Sequence, residues 1–219
     1  MSSVGSRAER RILVATRSRH KLDELRALLH LPDREPVSLD DLAIPDDAIE
    51  DAATFRGNAI LKARFYAGLS GLPTLADDSG LEVDALDGRP GVRTRRFAGE
   101  NATDQENNAK LLGVLEGVAP PRRTARYRCV LAYLDPDHAD GRRSGRRRYV
   151  VTRSGSFEGR IAEAPRGTNG FGYDPIFEPL TEPVGGRTVG QMPPEEKNRV
   201  SHRAKAARAM ARYLREHAG

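Results

Sequence analysis

The sequence predicts a mixed α/β domain, with a long, curved β-sheet and helices that flank a central groove. Strand and helix patterns alternate along the first part of the chain, as is typical of α/β units. In the second half, two strand patterns follow one another around a turn-rich segment, which favours a hairpin. Together these patterns indicate one mixed sheet covered by helices.

The predicted elements begin after a short polar segment. We expect residues 1–10 to be disordered and residues 11–217 to form one domain, because no linker or repeat divides the chain. Thr54 and either Thr103 or Asp104 are the expected caps of two helices. In chain order we predict a strand at 11–16, a helix at 21–31, a short strand at 36–39, a helix at 54–71, an interrupted strand at 73–86, a helix at 101–118, long strands at 124–135 and 146–162, a glycine-rich loop and strand at 167–177, and a final helix at 195–218 that breaks at Ser201.

The composition indicates a globular protein with a strongly charged surface. The 219 residues include 36 Lys and Arg against 31 Asp and Glu, a formal charge of +5 with a pI near 9.6. This balance permits an anionic partner, and the run Arg142–Arg148 could either grip RNA or form a charged hairpin tip. A single cysteine, Cys129, excludes an internal disulfide and fits a buried thiol. Because no apolar stretch resembles a secretory signal or approaches the roughly 18 residues that span a bilayer, we expect a cytoplasmic protein without membrane contact.

Three carboxylates are candidates for a metal site. Glu50 lies in a loop before the helix that starts at Thr54, and the pair Asp77-Asp78 ends an apolar strand. Because successive strand residues point to opposite faces, only one of the two aspartates can share a cleft with Glu50. A converging pair of carboxylates suits Mg²⁺, which takes one or two protein carboxylates together with substrate phosphates. The alternative is a solvated turn without a ligand.

Two stretches carry cations and donors that suit phosphate groups. Lys21 lies where the loop after the first strand meets a helix, a place where backbone N–H groups and the helix dipole attract anions. Asn58 and Lys62 are spaced i, i+4 and share one helix face. The loop before Lys21 lacks the glycines of a Walker-type loop, and a solvated helix face is the alternative for Asn58 and Lys62, so neither stretch identifies a site alone.

Two later stretches could bind a nucleobase. In NGFGYDPIF, Asn169–Phe177, glycines bracket Phe171, whose ring could stack on a base for about 1–3 kcal/mol or could fold onto the core. Ser201 is the expected cap of the last helix, so His202 and Arg203 fall in its first turn, where the helix dipole disfavours cations. This conflict predicts an anionic or acceptor partner, supplied by a ligand or by a nearby acidic residue.

Five motifs together resemble the non-canonical purine nucleoside triphosphate pyrophosphatases, the inosine triphosphatase-like enzymes. The similarity extends from about Ile12 to Leu214, in the family's order and spacing, through ATRSRHKLDEL, TFRGNAILKA, LADDSGLEVDALDGRPGV, GTNGFGYDPIF and EEKNRVSHRAKA. The resemblance implies a long mixed sheet with two lobes around a central cleft, usually in a homodimer. It also implies Mg²⁺-dependent hydrolysis of ITP, dITP and XTP to the monophosphate and pyrophosphate.

The resemblance further implies roles for individual residues. Asp78 would be the catalytic acceptor and a metal ligand, Glu50 the second metal ligand, and Lys62 a catalytic lysine near the phosphates. On this interpretation Asp77 faces away from the metal. The substrate-binding residues that the resemblance implies are Thr16, Arg17, Ser18, Lys21, Ser79, Phe171, Gly172, Tyr173, Asp174, Lys197, His202 and Arg203. Asn58 is added to this set because it shares a helix face with Lys62.

One loop departs from the family's pattern, and two other functions stay open. The first phosphate-binding loop usually reads Thr/Ser-Gly-Asn-x-x-Lys, whereas Arg17 and Ser18 replace the Gly and Asn here. Serine offers one donor where asparagine offers two, and Arg17 could compensate. The alternatives are a Maf-like pyrophosphatase with another base preference and a non-catalytic protein that binds RNA or polyphosphate. Because carboxylates repel a polyanion unless a metal is bound, we expect a purine nucleotide and no nucleic acid as the partner.

Overall fold

The computed structural model describes residues 10–31, 34–136 and 149–217, so the predictions for residues 1–9 and for Arg142–Arg148 lie outside the described residues. Within those ranges six strands form one sheet: β1 (Arg10–Ala15), β2 (Arg34–Val37), β3 (Thr74–Val83), β4 (Thr124–Leu134), β5 (Val150–Ile161) and β6 (Phe177–Pro179). Their order across the sheet is β2-β1-β3-β4-β5-β6. β1 is parallel to β2 and β3, and the other neighbours are antiparallel, which confirms the predicted mixed sheet.

Five α-helices flank the sheet in the described part of the chain: α1 (Arg19–Leu29), α2 (Phe55–Ser70), α3 (Asp104–Val114), α4 (Pro194–Val200) and α5 (His202–Glu216). Thr54 caps α2, Thr103 caps α3, and Ser201 separates α4 from α5, as the sequence predicts. Several details of the prediction are wrong. β3 runs without interruption, and α1 starts two residues early because the Ser18 hydroxyl caps it. α3 ends at Val114, four residues before the predicted end, and Arg10, which is predicted to be disordered, begins β1. None of the described helices has the length and apolar character needed to cross a membrane.

Helices cover both faces of the sheet. α1 and α5 pack on one face, where the buried cluster includes Ile12, Val14, Leu25, Leu29, Leu75, Leu131, Met210 and Leu214. α2 packs on the other face, where the buried cluster includes Leu13, Ala15, Ala59, Ala63, Tyr66, Ala76 and Ala132. Neighbouring residues such as Leu75 and Ala76 therefore face different helices, and the two aspartates that follow them in β3 continue this alternation.

We call the region between this part of the protein and a second lobe the cleft. The second lobe is built on the far ends of β3, β4 and β5, with a buried cluster that includes Leu81, Leu111, Tyr127, Phe157 and Phe177. β1 pairs with β3 at Thr74–Ala76 and ends there, whereas β3 continues to Val83. The loop after β1 therefore lies beside the middle of β3. In open α/β sheets, ligands bind outside the carboxyl ends of parallel strands, which is where this cleft falls.

Candidate active site

Lys62 joins two of the predicted acidic residues. Its Nζ lies 2.9 Å from Glu50 Oε2 and 3.4 Å from Asp78 Oδ1. Burial by itself lowers the pKa of Lys62, but the carboxylates of Asp78, Asp77 and Glu50 outweigh that effect and raise the pKa above its ordinary value. The side chain is therefore a fixed cation between a β3 carboxylate and a carboxylate of the loop before α2.

Asp78 keeps one oxygen free of hydrogen bonds. Its Oδ2 is buried and has no hydrogen-bond partner among the described residues. Burial raises the pKa of Asp78, and the negative charges of Glu50 and Asp77 add to the increase, which Lys62 and Lys21 only partly offset. Since an unpaired buried carboxylate oxygen costs free energy, this atom is placed to accept a proton or to bind a cation.

Asp77 faces α1 and α5 instead. Lys21 Nζ lies 3.0 Å from Asp77 Oδ2, and Arg203 Nη2 lies 3.8 Å from the same oxygen. Ser79 Oγ donates to Asp77 Oδ2 (3.2 Å) and accepts from Arg203 Nη2 (3.1 Å). Burial would raise the pKa of Asp77, but the positive charges of Lys21, Arg203 and Lys62 outweigh it and hold that pKa far below its ordinary value. The two neighbouring aspartates thus lie in different electrostatic environments.

Glu24, which sequence reasoning did not single out, joins two cations of the predicted base pocket. Its Oε1 lies 2.9 Å from Lys197 Nζ, and its Oε2 contacts Arg203 Nη1. Lys197 Nζ also lies 2.8 Å from Asp174 Oδ2. Burial raises the pKa of Glu24, but Arg203 and Lys197 outweigh it and leave the pKa below its ordinary value. The one signal in the sequence was the position of Glu24, three residues after Lys21 on the same face of α1.

Phe171 presents a partly exposed ring next to these cations. Lys197 Nζ lies 4.6 Å and Arg203 Cζ lies 5.6 Å from the ring centroid. The imidazole of His20 stacks on the same ring, with centroids 5.4 Å apart and an angle of 11° between the planes. His20 belongs to the first turn of α1, so the predicted phosphate loop and the predicted base-stacking loop meet at this ring.

Two side chains of α3 form hydrogen bonds with the glycine-rich loop. Asp104 Oδ2 accepts a hydrogen bond from Gly172 N (2.6 Å), and Asn108 Nδ2 donates one to Gly172 O (3.1 Å). Inside the loop, Asp174 Oδ2 accepts from Phe171 N (2.9 Å). The sequence indicates Asp104 only as a candidate helix cap and does not single out Asn108. Both side chains fix the peptide that follows the stacking ring.

His202 and Tyr173, two further residues of the predicted base pocket, are buried. His202 stacks on Tyr127, with ring centroids 4.8 Å apart and an angle of 14°, and its Nδ1 has no hydrogen-bond partner in the described parts of the chain. Burial lowers the pKa of His202 well below its ordinary value, and the charges of Arg203 and Lys197 lower it further. The imidazole is therefore neutral. Tyr173 belongs to the hydrophobic core of the second lobe, so its buried side chain anchors the glycine-rich loop to that core.

Four other predicted substrate-binding side chains make hydrogen bonds within the protein. Thr16 Oγ1 accepts from Ser18 N (3.2 Å), and Ser18 Oγ accepts the backbone N–H three residues later (3.5 Å). Asn58 Oδ1 accepts a backbone N–H of the loop before α2 (2.9 Å). Arg17 Nε donates to Asp47 Oδ1 (3.0 Å). In this structure these side chains shape the two loops at the cleft.

The family match covers nearly the whole chain. The model of the Ham1 family aligns with residues 12–213. The chain belongs to the Ham1 family. Among its Ham1 relatives, a Geobacter sulfurreducens protein named dITP/XTP pyrophosphatase is 46% identical over 204 residues, which are 93% of this chain and 96% of that protein. A Shigella flexneri protein of the same name is 43% identical over 205 residues, which are 94% of this chain and 98% of that protein.

Solved Ham1 structures share the fold described above. A HAM1 protein from Coxiella burnetii superimposes with a TM-score of 0.80 at 39% identity and covers 94% of this chain and 99% of its own. The Staphylococcus aureus Ham1 protein gives a TM-score of 0.81 at 33% identity, with the same coverage. These matches confirm the predicted α/β fold and the family that the five motifs indicate.

In this Ham1 protein the predicted acidic and basic residues converge in two groups on either side of β3. Glu50, Lys62 and Asp78 meet on the α2 face. The other face brings together Lys21, Ser79, Phe171, Asp174, Lys197, His202 and Arg203. Among the described residues, no group of three or more His, Cys, Asp or Glu side chains could hold a metal ion. Because one ammonium contacts both Glu50 and Asp78, these two carboxylates are the pair that could bind a metal together with ligand oxygens.

Proposed function

We propose that the protein hydrolyses dITP, ITP and XTP to the nucleoside monophosphate and pyrophosphate, with Mg²⁺ as the metal. The observation that carries this proposal is the Glu50–Lys62–Asp78 cluster, which lies across β3 from the cations around Phe171. Carboxylates and lysines at one end of a cleft suit a triphosphate, and a stacking ring with cations suits a base. Relatives named dITP/XTP pyrophosphatase, at more than 40% identity over most of the chain, support the same substrates.

The proposed metal ligands are Glu50 and Asp78. The buried Asp78 Oδ2 without a hydrogen-bond partner fits this role, because a hard cation would satisfy it. Two protein carboxylates together with phosphate oxygens are a usual donor set for Mg²⁺. When bound, the ion neutralises phosphate charge in the transition state.

The proposed reaction is the attack of water on the α-phosphorus. The new P–O bond forms while the bond between that phosphorus and the oxygen bridging to the β-phosphate breaks. Asp78 accepts the proton of the water, and pyrophosphate leaves. Lys21 and Lys62 donate hydrogen bonds to phosphate oxygens, which lowers the cost of the developing charge. The loop from Thr16 to Lys21 orients the triphosphate with its backbone N–H groups.

The proposed base pocket uses Phe171 for stacking and Arg203 for selection. Hypoxanthine and xanthine present a 6-oxo acceptor, whereas adenine presents an amino donor. Arg203 carries only donors, and its Nε has no hydrogen-bond partner among the described residues. Neutral His202 also has one N–H, so adenine would leave a buried donor unpaired at a cost of about 1–3 kcal/mol. Guanine keeps the 6-oxo group, so the site has to reject its 2-amino group. We assign this rejection to a hydrogen-bond donor in the region of Ser201.

The homodimer and the cytoplasmic location expected from the sequence belong to this proposal as well. Static light scattering tests the first: a dimer has twice the 24.1 kDa of one chain. The location follows from the substrate, since the proposed role is to clear damaged nucleotides from the pool that polymerases use.

The test is pyrophosphate release from a panel of purine and pyrimidine triphosphates with Mg²⁺. We expect turnover of dITP, ITP and XTP far above that of ATP, GTP, dTTP and UTP, loss of turnover with EDTA, and recovery with added Mg²⁺. Faster turnover of dTTP or UTP would indicate the Maf-like alternative. Salt-sensitive RNA binding without pyrophosphate release from any nucleotide would overturn the proposal.

A further inference from the structure

Arg17 bridges the two loops that meet at the cleft. Its Nε donates to Asp47 Oδ1 (3.0 Å), and its Nη2 donates to the carbonyl oxygen of Asp46 (2.9 Å). Its Nη1 lies 3.6 Å from Asp40 Oδ1. All three nitrogens therefore contact one segment, residues 38–52, which we call the acidic loop. A guanidinium bound through its whole fork has a defined orientation.

The acidic loop is also bound from α2, and Glu50 lies between these contacts. Asn58 accepts a hydrogen bond from the backbone near the end of the loop (2.9 Å), and Lys62 pairs with Glu50 (2.9 Å). Tyr66 OH accepts from the N–H of residue 48 (3.4 Å) and donates to Asp47 Oδ1 (3.5 Å). Residues 58, 62 and 66 share one face of α2. Asp47 is thus the point where the contact from Arg17 and the contact from α2 meet, three residues before Glu50.

We propose that Arg17 is a positioning residue that couples the phosphate loop to the acidic loop and so keeps Glu50 beside Asp78. The coupling is useful because α1 and α2 lie on opposite faces of the sheet. Lys21 belongs to one face and the Glu50–Lys62 pair to the other, and Arg17 connects them past the end of β1. This inference rests on the proposed function for its metal and its substrate, but the contacts themselves do not.

The expected effect is modest because the pair is not deeply buried. The side chain of Arg17 is 32% exposed and that of Asp47 is 75% exposed. Single ion pairs at such sites contribute little, so we expect changes of about 3- to 10-fold and no loss of the fold.

The test compares Arg17→Ala, Asp47→Asn and the double variant with Arg26→Ala as the matched control. Arg26 Nη2 contacts Asp41 Oδ2 (3.3 Å), so it also joins α1 to the acidic loop, but at the far end from Glu50. The first readout is amide hydrogen exchange of residues 46–52 in the metal-free protein without nucleotide. We expect similar, faster exchange in both single variants, no further increase in the double variant, and wild-type exchange in Arg26→Ala.

The second readout is the Mg²⁺ concentration for half-maximal pyrophosphate release at a fixed dITP concentration. If Arg17 acts by positioning through Asp47, this Mg²⁺ concentration should rise about 3- to 10-fold in each single variant and no further in the double variant. Direct phosphate binding by Arg17 predicts a higher KM for dITP in Arg17→Ala alone, with Asp47→Asn at or below the wild-type KM, and that result would overturn the inference. Unchanged hydrogen exchange in Arg17→Ala would also overturn it. If the wild-type chain hydrolyses no triphosphate, the proposed function fails while the exchange data still decide the role of Arg17.

Discussion

Asp77 and Asp78 are neighbours in β3, yet their carboxyl groups contact different lysines and their pKa values shift in opposite directions. Asp77 pairs with Lys21 at 3.0 Å, and Asp78 lies 3.4 Å from Lys62. The pKa of Asp77 is held low by the charges of Lys21 and Arg203, which outweigh its burial, whereas burial raises the pKa of Asp78. Asp77 therefore stays ionised, whereas the raised pKa of Asp78 makes its carboxylate the better proton acceptor.

The first prediction separates the two aspartates by substitution. Asp78→Asn should lower kcat for dITP by several orders of magnitude, because it removes both the proton acceptor and a metal ligand. Its free energy of unfolding should change little, since the amide carries no charge that burial disfavours. Asp77→Asn should instead destabilise the fold by up to about 3–5 kcal/mol, because it leaves Lys21 and Arg203 without their buried partner. Urea unfolding and steady-state rates measure both effects, and a larger loss of kcat in Asp77→Asn would reverse our assignment.

The second prediction concerns pH. Because the folded-state pKa of Asp78 is raised, acidification protonates it at a pH above the ordinary value near 3.9, and protons then compete with Mg²⁺. The low pKa of Asp77 acts in the opposite sense: its contribution to stability is fully present above the unfolded-state pKa and is lost progressively as the pH falls from there through the low folded-state pKa. Between about pH 7 and 5 the Mg²⁺ requirement should therefore rise while the contribution of Asp77 to the free energy of unfolding stays constant. If the Mg²⁺ requirement rose at the same pH at which the protein unfolds, the result would contradict this prediction.

The third prediction tests how the base is chosen. Arg203→Ala should lower the ratio of kcat/KM for ITP to kcat/KM for ATP. Phe171→Ala should instead lower kcat/KM for both nucleotides about equally. Since alanine at position 203 also removes the cation that contacts Glu24 Oε2 and leaves Glu24 with Lys197 alone, Arg203→Lys provides a variant that keeps the charge but not the fork. Lys205→Ala, which removes an exposed cation of α5, is the control. An Arg203 variant with the wild-type ratio would show that this arginine does not read the base.

The fourth prediction concerns the support of the stacking loop by α3. Asn108→Leu removes the hydrogen bond to Gly172 O and an unpaired buried oxygen, so the free energy of unfolding should change by no more than about 1.5 kcal/mol. With the loop less firmly placed, KM for dITP should rise while kcat stays near the wild-type value. Gln105→Ala on the exposed side of the same helix should change neither constant. An unchanged KM in Asn108→Leu would assign Asn108 to the fold alone.

The sequence by itself determined the local features of this protein. Strand alternation separated Asp77 from Asp78, and five ordered motifs indicated the family. Helix-cap chemistry placed one helix start at Thr54, another at Thr103 or Asp104, and the break at Ser201. Each of these depends on residues that are close together in the chain, where periodicity and capping are read directly.

The tertiary structure alone decided which charges meet. Arg203 pairs with Glu24 across 179 positions of the chain, Gly172 is bound by Asp104 across 68, and Arg17 reaches Asp47 across 30. The sequence showed Arg203 only as a cation in an unfavourable helix turn, and it left open whether a ligand or an acidic residue would be the partner. The pair Arg203–Glu24 joins two helices on one face of the sheet, whereas the pair Arg17–Asp47 joins two loops past the end of β1. Their choice depends on the packing of α1, α2 and α5, because a buried charge is stable only where that packing brings an opposite charge to it.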